Sequence, residues 1–120
     1  MSSPRWNLTV RVGSKVDHQH FATLDEALAA LEERAGQLTG EVARSEVRFF
    51  RRRIEPVEQV AARLEVAGPG GFRPSVHGGL DVRGDGSAEA YTGRVRRSLI
   101  EPRRGESPAA ALRRRLGATT

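Results

Sequence analysis

Two histidines near the N-terminus have the spacing of a metal site. His18 and His20 are separated by one residue, so on a strand both imidazoles project to the same face. Neutral imidazole nitrogens suit zinc, copper, nickel or iron, and His77 or Asp81 could supply a third ligand. The simpler interpretation is two exposed histidines on an edge strand. A small metal-dependent enzyme built on these histidines is therefore only an alternative hypothesis, and the sequence predicts no cofactor.

Carboxylates and glycines offer weaker candidates for chemistry. Asp81, Asp85 and Glu89 fall on one predicted hairpin, but a general acid–base pair needs a cleft that shifts one pKa, and Asp85 is a common turn former. The glycines of residues 68–71 are not followed by a helix start, which a phosphate-binding loop requires. The chain has no cysteine, which excludes thiolate chemistry. No catalytic residue is predicted, and a non-enzymatic protein is favoured.

The positions of the arginines along the chain are the most informative feature for predicting a partner. The chain has 20 basic and 15 acidic residues, a net charge of +5, and Lys15 is its single lysine. Residues 1–60 are neutral overall, whereas residues 61–120 carry 11 Arg against 6 acidic residues, a net charge of +5. A genome whose codons favour arginine explains the Arg-to-Lys ratio. The asymmetry indicates an acidic partner or a nucleic acid, or else a solvated basic tail.

The predicted anion-binding arginines come from several segments. Guanidinium groups that converge on one surface attract phosphate backbones through counterion release, independent of base sequence. Few aromatic residues accompany them, so stacking on single-stranded bases is not the expected mode. Arg103 and Arg104 belong to the same basic series. The predicted contact residues are Arg51, Arg52, Arg53, Arg94, Arg96, Arg97, Arg113, Arg114 and Arg115.

These observations favour a small non-enzymatic binding protein whose Arg-rich C-terminal half engages nucleic acid or an acidic protein partner. One alternative is an assembly subunit without nucleic-acid binding, in which the short N-terminal strand or a half-exposed sheet pairs with another copy or a larger partner. Another is a solvated surface that keeps the protein in solution.

The length and hydropathy of the chain predict its organisation. A chain of 120 residues fits one domain, with residues 68–75 as a flexible loop and residues 101–120 as a basic C-terminal helix and tail. No apolar run approaches the roughly 20 residues that span a bilayer, and the first residues do not form a signal peptide. We therefore expect no membrane partner and a cytoplasmic location.

Hydrophobic periodicity predicts the first half of the fold. Alternation over residues 6–12 indicates a strand, and residues 16–21 form a second, shorter one. Thr23 and Glu26 form a capping box that begins a helix over residues 24–38, and Gly40 suits the position after its last turn.

The middle of the chain is less regular. Residues 44–54 are predicted as a strand because Val47, Phe49 and Phe50 are apolar. Residues 56–67 fit a strand better than a helix with Pro56 at its first position.

A hairpin and a last helix complete the prediction. Asp85-Gly86 favours a type I′ turn between strands at residues 76–83 and 88–100, with Val82 facing Glu89 and Leu80 facing Tyr91. Ser107-Pro108 begins a final helix and Gly117 ends it. The predicted fold is α+β: a mostly antiparallel curled sheet of about five to six strands packed on one long helix, with a short C-terminal helix.

Overall fold

The fold is one six-stranded antiparallel sheet with two helices. The computed structural model describes residues 6–49, 60–69, 77–93 and 96–117. The strand order is β2-β1-β3-β4-β5-β6, which confirms the predicted α+β class. The elements are β1 (Trp6–Val12), β2 (Lys15–Phe21), α1 (Leu24–Phe49), β3 (Val60–Ala67), β4 (His77–Arg83), β5 (Ala88–Thr92), β6 (Ser98–Ile100) and α2 (Pro108–Leu116).

One face of the sheet, which we call the helix face, carries the hydrophobic core. Side chains alternate along each strand, so the register aligns apolar residues of neighbouring strands on this face. The helix α1 packs on β1, β3 and β4 and also contacts β2, and α2 packs on β4, β5 and β6. The opposite side, the outer face, carries mostly polar residues. The core consists of Leu8, Val10, Ala27, Leu28, Leu31, Ala35, Leu38, Ala62, Leu64, Val66, Leu80, Val82, Ala90, Ile100, Ala111 and Leu112.

The helix α1 is longer than predicted. Its start is confirmed, because the Thr23 hydroxyl accepts a hydrogen bond from the Glu26 backbone N–H at 3.1 Å. The helix does not end at Gly40 but continues to Phe49, so the predicted strand over residues 44–54 is wrong for residues 44–49. A glycine inside a helix costs about 1 kcal/mol, which the Glu, Ala and Arg residues that follow can offset by their helix propensity.

The predicted hairpin register is wrong by one residue. Arg83 N–H donates to Ser87 O at 2.7 Å, so this pair closes the hairpin and three residues, 84–86, form its turn. Gly86 takes a left-handed conformation with φ of 89°, whereas Asp85 does not, as a type I′ turn would require. A slip of one residue moves a side chain to the other face, so Tyr91 lies opposite Gly79 on the outer face instead of opposite Leu80.

The predicted strand over residues 88–100 is two strands. The chain reverses after β5, where Gly93 adopts φ of +96°, and returns as β6 beside β5. A Cβ atom on Gly93 would lie 2.1 Å from the Arg96 carbonyl oxygen, so this tight reversal requires glycine.

The remaining element predictions hold within the described residues. β3 confirms the strand interpretation for residues 60–67. The helix α2 begins and ends as predicted: the Ser107 hydroxyl accepts from Ala110 N–H at 3.1 Å, and Gly117 takes the left-handed position. Residues 70–75 of the predicted flexible loop lie outside the described residues. None of the helices in the described ranges has an apolar run long enough to span a membrane.

Candidate functional site

The three consecutive arginines of α2 have different surroundings. Arg113 reaches across to α1, where its Nε donates to Glu32 at 2.9 Å and its Nη1 pairs with Asp25. Arg114 pairs with Glu106. Arg115 is exposed. The first two therefore attach α2 to the rest of the fold, whereas Arg115 pairs with no carboxylate among the residues that the structure describes.

The Arg114–Glu106 pair fixes the connection that leads into α2. Two guanidinium nitrogens of Arg114 donate to the Glu106 carboxylate at 2.9 and 3.0 Å. The backbone N–H of Arg103 donates to the same carboxylate at 2.9 Å. The side chain of Arg114, followed by this backbone donor, lowers the pKa of Glu106 to about 2.

Four exposed arginines lie along the β6 edge of the sheet and its covering helix, and we call them the C-terminal basic edge. Arg96 is in the β5–β6 connection, Arg103 and Arg104 are in the β6–α2 connection, and Arg115 is in the last turn of α2. Residues 96–117 carry seven Arg against two Glu, so their net charge of +5 equals that of the whole chain. The excess charge is thus concentrated on neighbouring elements.

The packing of α2 places Arg115 and Arg96 at the same end of the sheet. Leu112 and Leu116 lie 3.1 and 3.4 Å from the Cβ position of Gly78. Gly78 pairs with Thr92, and the β5–β6 connection begins directly after this residue. The last turn of α2 therefore lies over the end of the sheet at which the β5–β6 connection, which contains Arg96, begins.

The other predicted anion-binding residues are not brought to this edge within the described part of the chain. Arg97 turns onto the outer face, where its guanidinium carbon lies 4.7 Å from the centre of the Tyr91 ring and Nη2 lies 3.8 Å from Glu65. Arg51, Arg52, Arg53 and Arg94 lie outside the described residues. The predicted convergence of residues 51–53 with the last strands therefore stays a prediction.

The outer face carries cross-strand ion pairs. Arg63 of β3 donates two hydrogen bonds to Asp81 of β4, at 2.7 and 3.1 Å. This hydrogen bonding raises the pKa of Arg63. Arg83 pairs with Glu89 at 2.8 Å. Since these guanidinium groups already have carboxylate partners on the sheet, they contribute little to attracting a polyanion.

Tyr91 is the most buried side chain of the outer face. Only 1% of it is exposed, and its hydroxyl has no hydrogen-bond partner among the described residues. Its ring crosses Gly79, where a Cβ would lie 2.9 Å from the hydroxyl oxygen. Burial, followed by the nearby Glu65 carboxylate, raises the pKa of Tyr91, so the phenol stays neutral at physiological pH.

His18 and His20 share the outer face of β2, as predicted, but no third ligand lies beside them among the residues that the structure describes. Each imidazole contacts a β1 side chain: His18 Nδ1 lies 3.1 Å from Thr9 Oγ1, and His20 Nδ1 donates to Asn7. His77 is three strands away, on β4. Within the described ranges, no three His, Asp or Glu side chains are grouped closely enough to hold a metal ion.

His77 and Asp81, the suggested third ligands, have other partners. His77 Nδ1 donates to the Gly93 carbonyl at 3.0 Å, and its Nε2 lies 3.5 Å from Glu65. Asp81 is bound by Arg63. Both side chains thus connect neighbouring strands of the sheet.

A polar groove of about 480 Å³ runs between β2 and α1. Phe21 and Ala30 line it together with Gln19, Glu33 and Arg34. Arg34 also binds Asp17 of β2 at 3.3 Å. Periodicity alone could not reveal this groove, because it depends on how α1 is placed over the sheet.

Comparison with known protein families, curated proteins and solved structures finds no match to this chain.

Proposed function

We propose that the protein is a non-enzymatic binding protein whose C-terminal basic edge engages the phosphate backbone of nucleic acid. The observation that carries this proposal is the position of four exposed arginines on α2 and on the connections that flank β6, where the excess positive charge of the chain is also found. Phosphate contacts of this kind orient a protein on nucleic acid and confer affinity without base specificity.

The ion pairs of α2 support the proposal by holding the edge together. Because Arg113 and Arg114 attach α2 to α1 and to the preceding connection, Arg115 is presented from a fixed helix. The helix has 9 residues and is roughly 13 Å long at 1.5 Å per residue. At 3.4 Å per charge on one strand, this length is matched by about four phosphates of B-DNA.

Salt-dependent binding tests the proposal. Fluorescence anisotropy with a labelled DNA duplex and with an RNA duplex of the same sequence measures affinity at several KCl concentrations. We expect binding that weakens steeply with salt. The double variant R96A/R115A should lower the slope of log K against log salt by about 0.9 for each phosphate that is no longer neutralised. The single variants R115A and R11A form a matched pair, because Arg11 is exposed on β1, four strands away from β6, and has no carboxylate partner among the described residues.

The control variant and the series of ligands distinguish this proposal from its alternatives. Equal reductions of affinity in R115A and R11A would show that net charge, not the C-terminal basic edge, drives binding. An affinity for the duplexes that does not change with KCl concentration would contradict the proposal. Stronger binding to poly-glutamate than to either duplex would indicate an acidic protein partner instead.

A further inference from the structure

The strand β2 is an edge of the sheet, and no strand among the described residues pairs with its outer side. A two-residue turn at Gly13-Ser14 makes Val12 and Lys15 the closing pair of the β1–β2 hairpin. Hydrogen bonds to β1 then alternate along β2 from Lys15, which directs the N–H and C=O groups of Val16, His18 and His20 away from the sheet.

Two devices that protect many edge strands, a proline and a bulge, are missing from β2. It has no proline, its seven residues pair with β1 without a bulge, and its single lysine is at its first position. The opposite edge strand, β6, has three residues and is followed by Pro102. A long and regular edge without a bulge or a proline is a template for pairing with another strand.

The side chains that line the groove beside β2 indicate what kind of strand could pair with this edge. An added strand places every second side chain above the helix face, which here means into the groove between β2 and α1. The groove contains one acidic and one basic side chain, Glu33 and Arg34, above Phe21. A strand with one basic and one acidic residue at alternate positions would complement them.

The strand β2 itself has that pattern. Lys15 and Asp17 lie on the helix face, because Asp17 is opposite Val10 in the register and binds Arg34 of α1. A two-fold axis through His18 aligns all seven residues of two antiparallel β2 strands. It sets Lys15 of one copy opposite Phe21 of the other and Asp17 opposite Gln19, and both Phe21 and Gln19 line the groove that also contains Glu33 and Arg34.

We propose that β2 pairs antiparallel with β2 of a second copy of this chain, joining the two six-stranded sheets and closing each groove with Lys15 and Asp17 of the other copy. The helix α1 contacts β2 less than it contacts β1 and β3, and the groove of about 480 Å³ between β2 and α1 can receive side chains of an added strand. The interface is isologous, as in most homodimers. It is at the opposite edge of the sheet from the C-terminal basic edge and does not depend on the proposed function.

Solution mass tests this pairing. Light scattering coupled to gel filtration of the full chain should show twice the chain mass of 13.1 kDa at high concentration, with dissociation on dilution. The variant His18→Pro removes a free-edge N–H that the dimer needs, so it should be monomeric. It should still fold, because proline is tolerated at a solvent-facing edge position. The matched control His18→Thr also removes the imidazole but keeps the N–H, and it should remain dimeric.

A charge exchange gives a second test that does not rely on proline. Lys15→Glu and Glu33→Lys should each weaken dimerisation on the order of tenfold, and the double variant K15E/E33K should restore it. A wild-type mass of 13.1 kDa at every concentration would overturn the proposal. Equal masses for folded His18→Pro and His18→Thr, or no recovery in the double variant, would do the same.

Discussion

At the scale of single residues, Gly79 is a position where close packing leaves no space for a side chain. The Tyr91 ring lies across Gly79 on the outer face, and a Cβ at Gly79 would lie 2.2 Å from the Leu64 carbonyl oxygen. Glycine is required here by close approach of backbone and ring, not by its φ angle. Gly36 in α1 is the opposite case, because nothing lies within 4 Å of its Cβ position.

This contrast predicts opposite effects of the same substitution. Gly79→Ala should lower the free energy of unfolding by about 3 kcal/mol, because neither the Leu64 backbone nor the Tyr91 ring can move freely. Gly36→Ala should raise it by about 0.5–1 kcal/mol, since alanine is the better residue inside a helix. Urea unfolding of both variants checks this, and a Gly79→Ala variant as stable as wild type would contradict the packing of Tyr91 on Gly79.

At the scale of elements, α2 depends on side chains that belong to distant segments. Arg113→Ala removes the pairing with both Asp25 and Glu32 of α1, and the Arg113 side chain is only 15% exposed. We expect a decrease of about 1–2 kcal/mol in the free energy of unfolding. Arg115→Ala is the control, with an expected change within about 0.5 kcal/mol. Thermal melts distinguish them, and equal melting temperatures would argue against the α1–α2 attachment.

The connection into α2 should respond to acid. The pKa of Glu106 is lowered from 4.5 to about 2, so its ionised form stabilises the fold above pH 4.5 and this contribution disappears as the pH falls towards 2. Glu106→Gln should be less stable than wild type at neutral pH, and the difference should shrink between roughly pH 5 and pH 2. Urea unfolding at stepped pH measures this. A constant difference across the range would mean that the carboxylate charge is not the cause.

At the scale of the whole molecule, one hydrophobic core joins both helices to the sheet. Leu28 and Leu31 of α1 belong to the same buried cluster as Ala111 and Leu112 of α2, and Trp6 packs against that cluster from β1. Elements that share a core unfold together in small domains. The structure therefore predicts that α2 cannot unfold separately from β1.

Two probes of unfolding check this cooperativity. Trp6 is the only tryptophan, so its fluorescence reports on β1, whereas far-UV circular dichroism reports on all helices and strands. We expect the two urea transitions to coincide. A circular dichroism transition that begins at clearly lower urea than the fluorescence transition would show that α2 or the end of α1 melts independently.

What the sequence determined by itself is local. The capping of α1 by Thr23 and of α2 by Ser107, and the alternation in β1 and β3, were predictable because each depends on hydrogen bonds or side-chain periodicity within a few residues. The α+β class followed from the order of these elements. The longer α1 was missed because glycine and apolar residues near its end fit more than one structure.

Only the tertiary structure decided the register of β4 with β5 and the partners of the arginines. The loop length differs by one residue from the predicted turn, and that single residue placed Tyr91 on the outer face. Arg113 binds acidic residues 81 and 88 positions away, and Arg115, two residues later, binds none of the described residues. Charge along a chain is visible in its sequence, but which charges neutralise one another depends on distances between segments that only folding brings together.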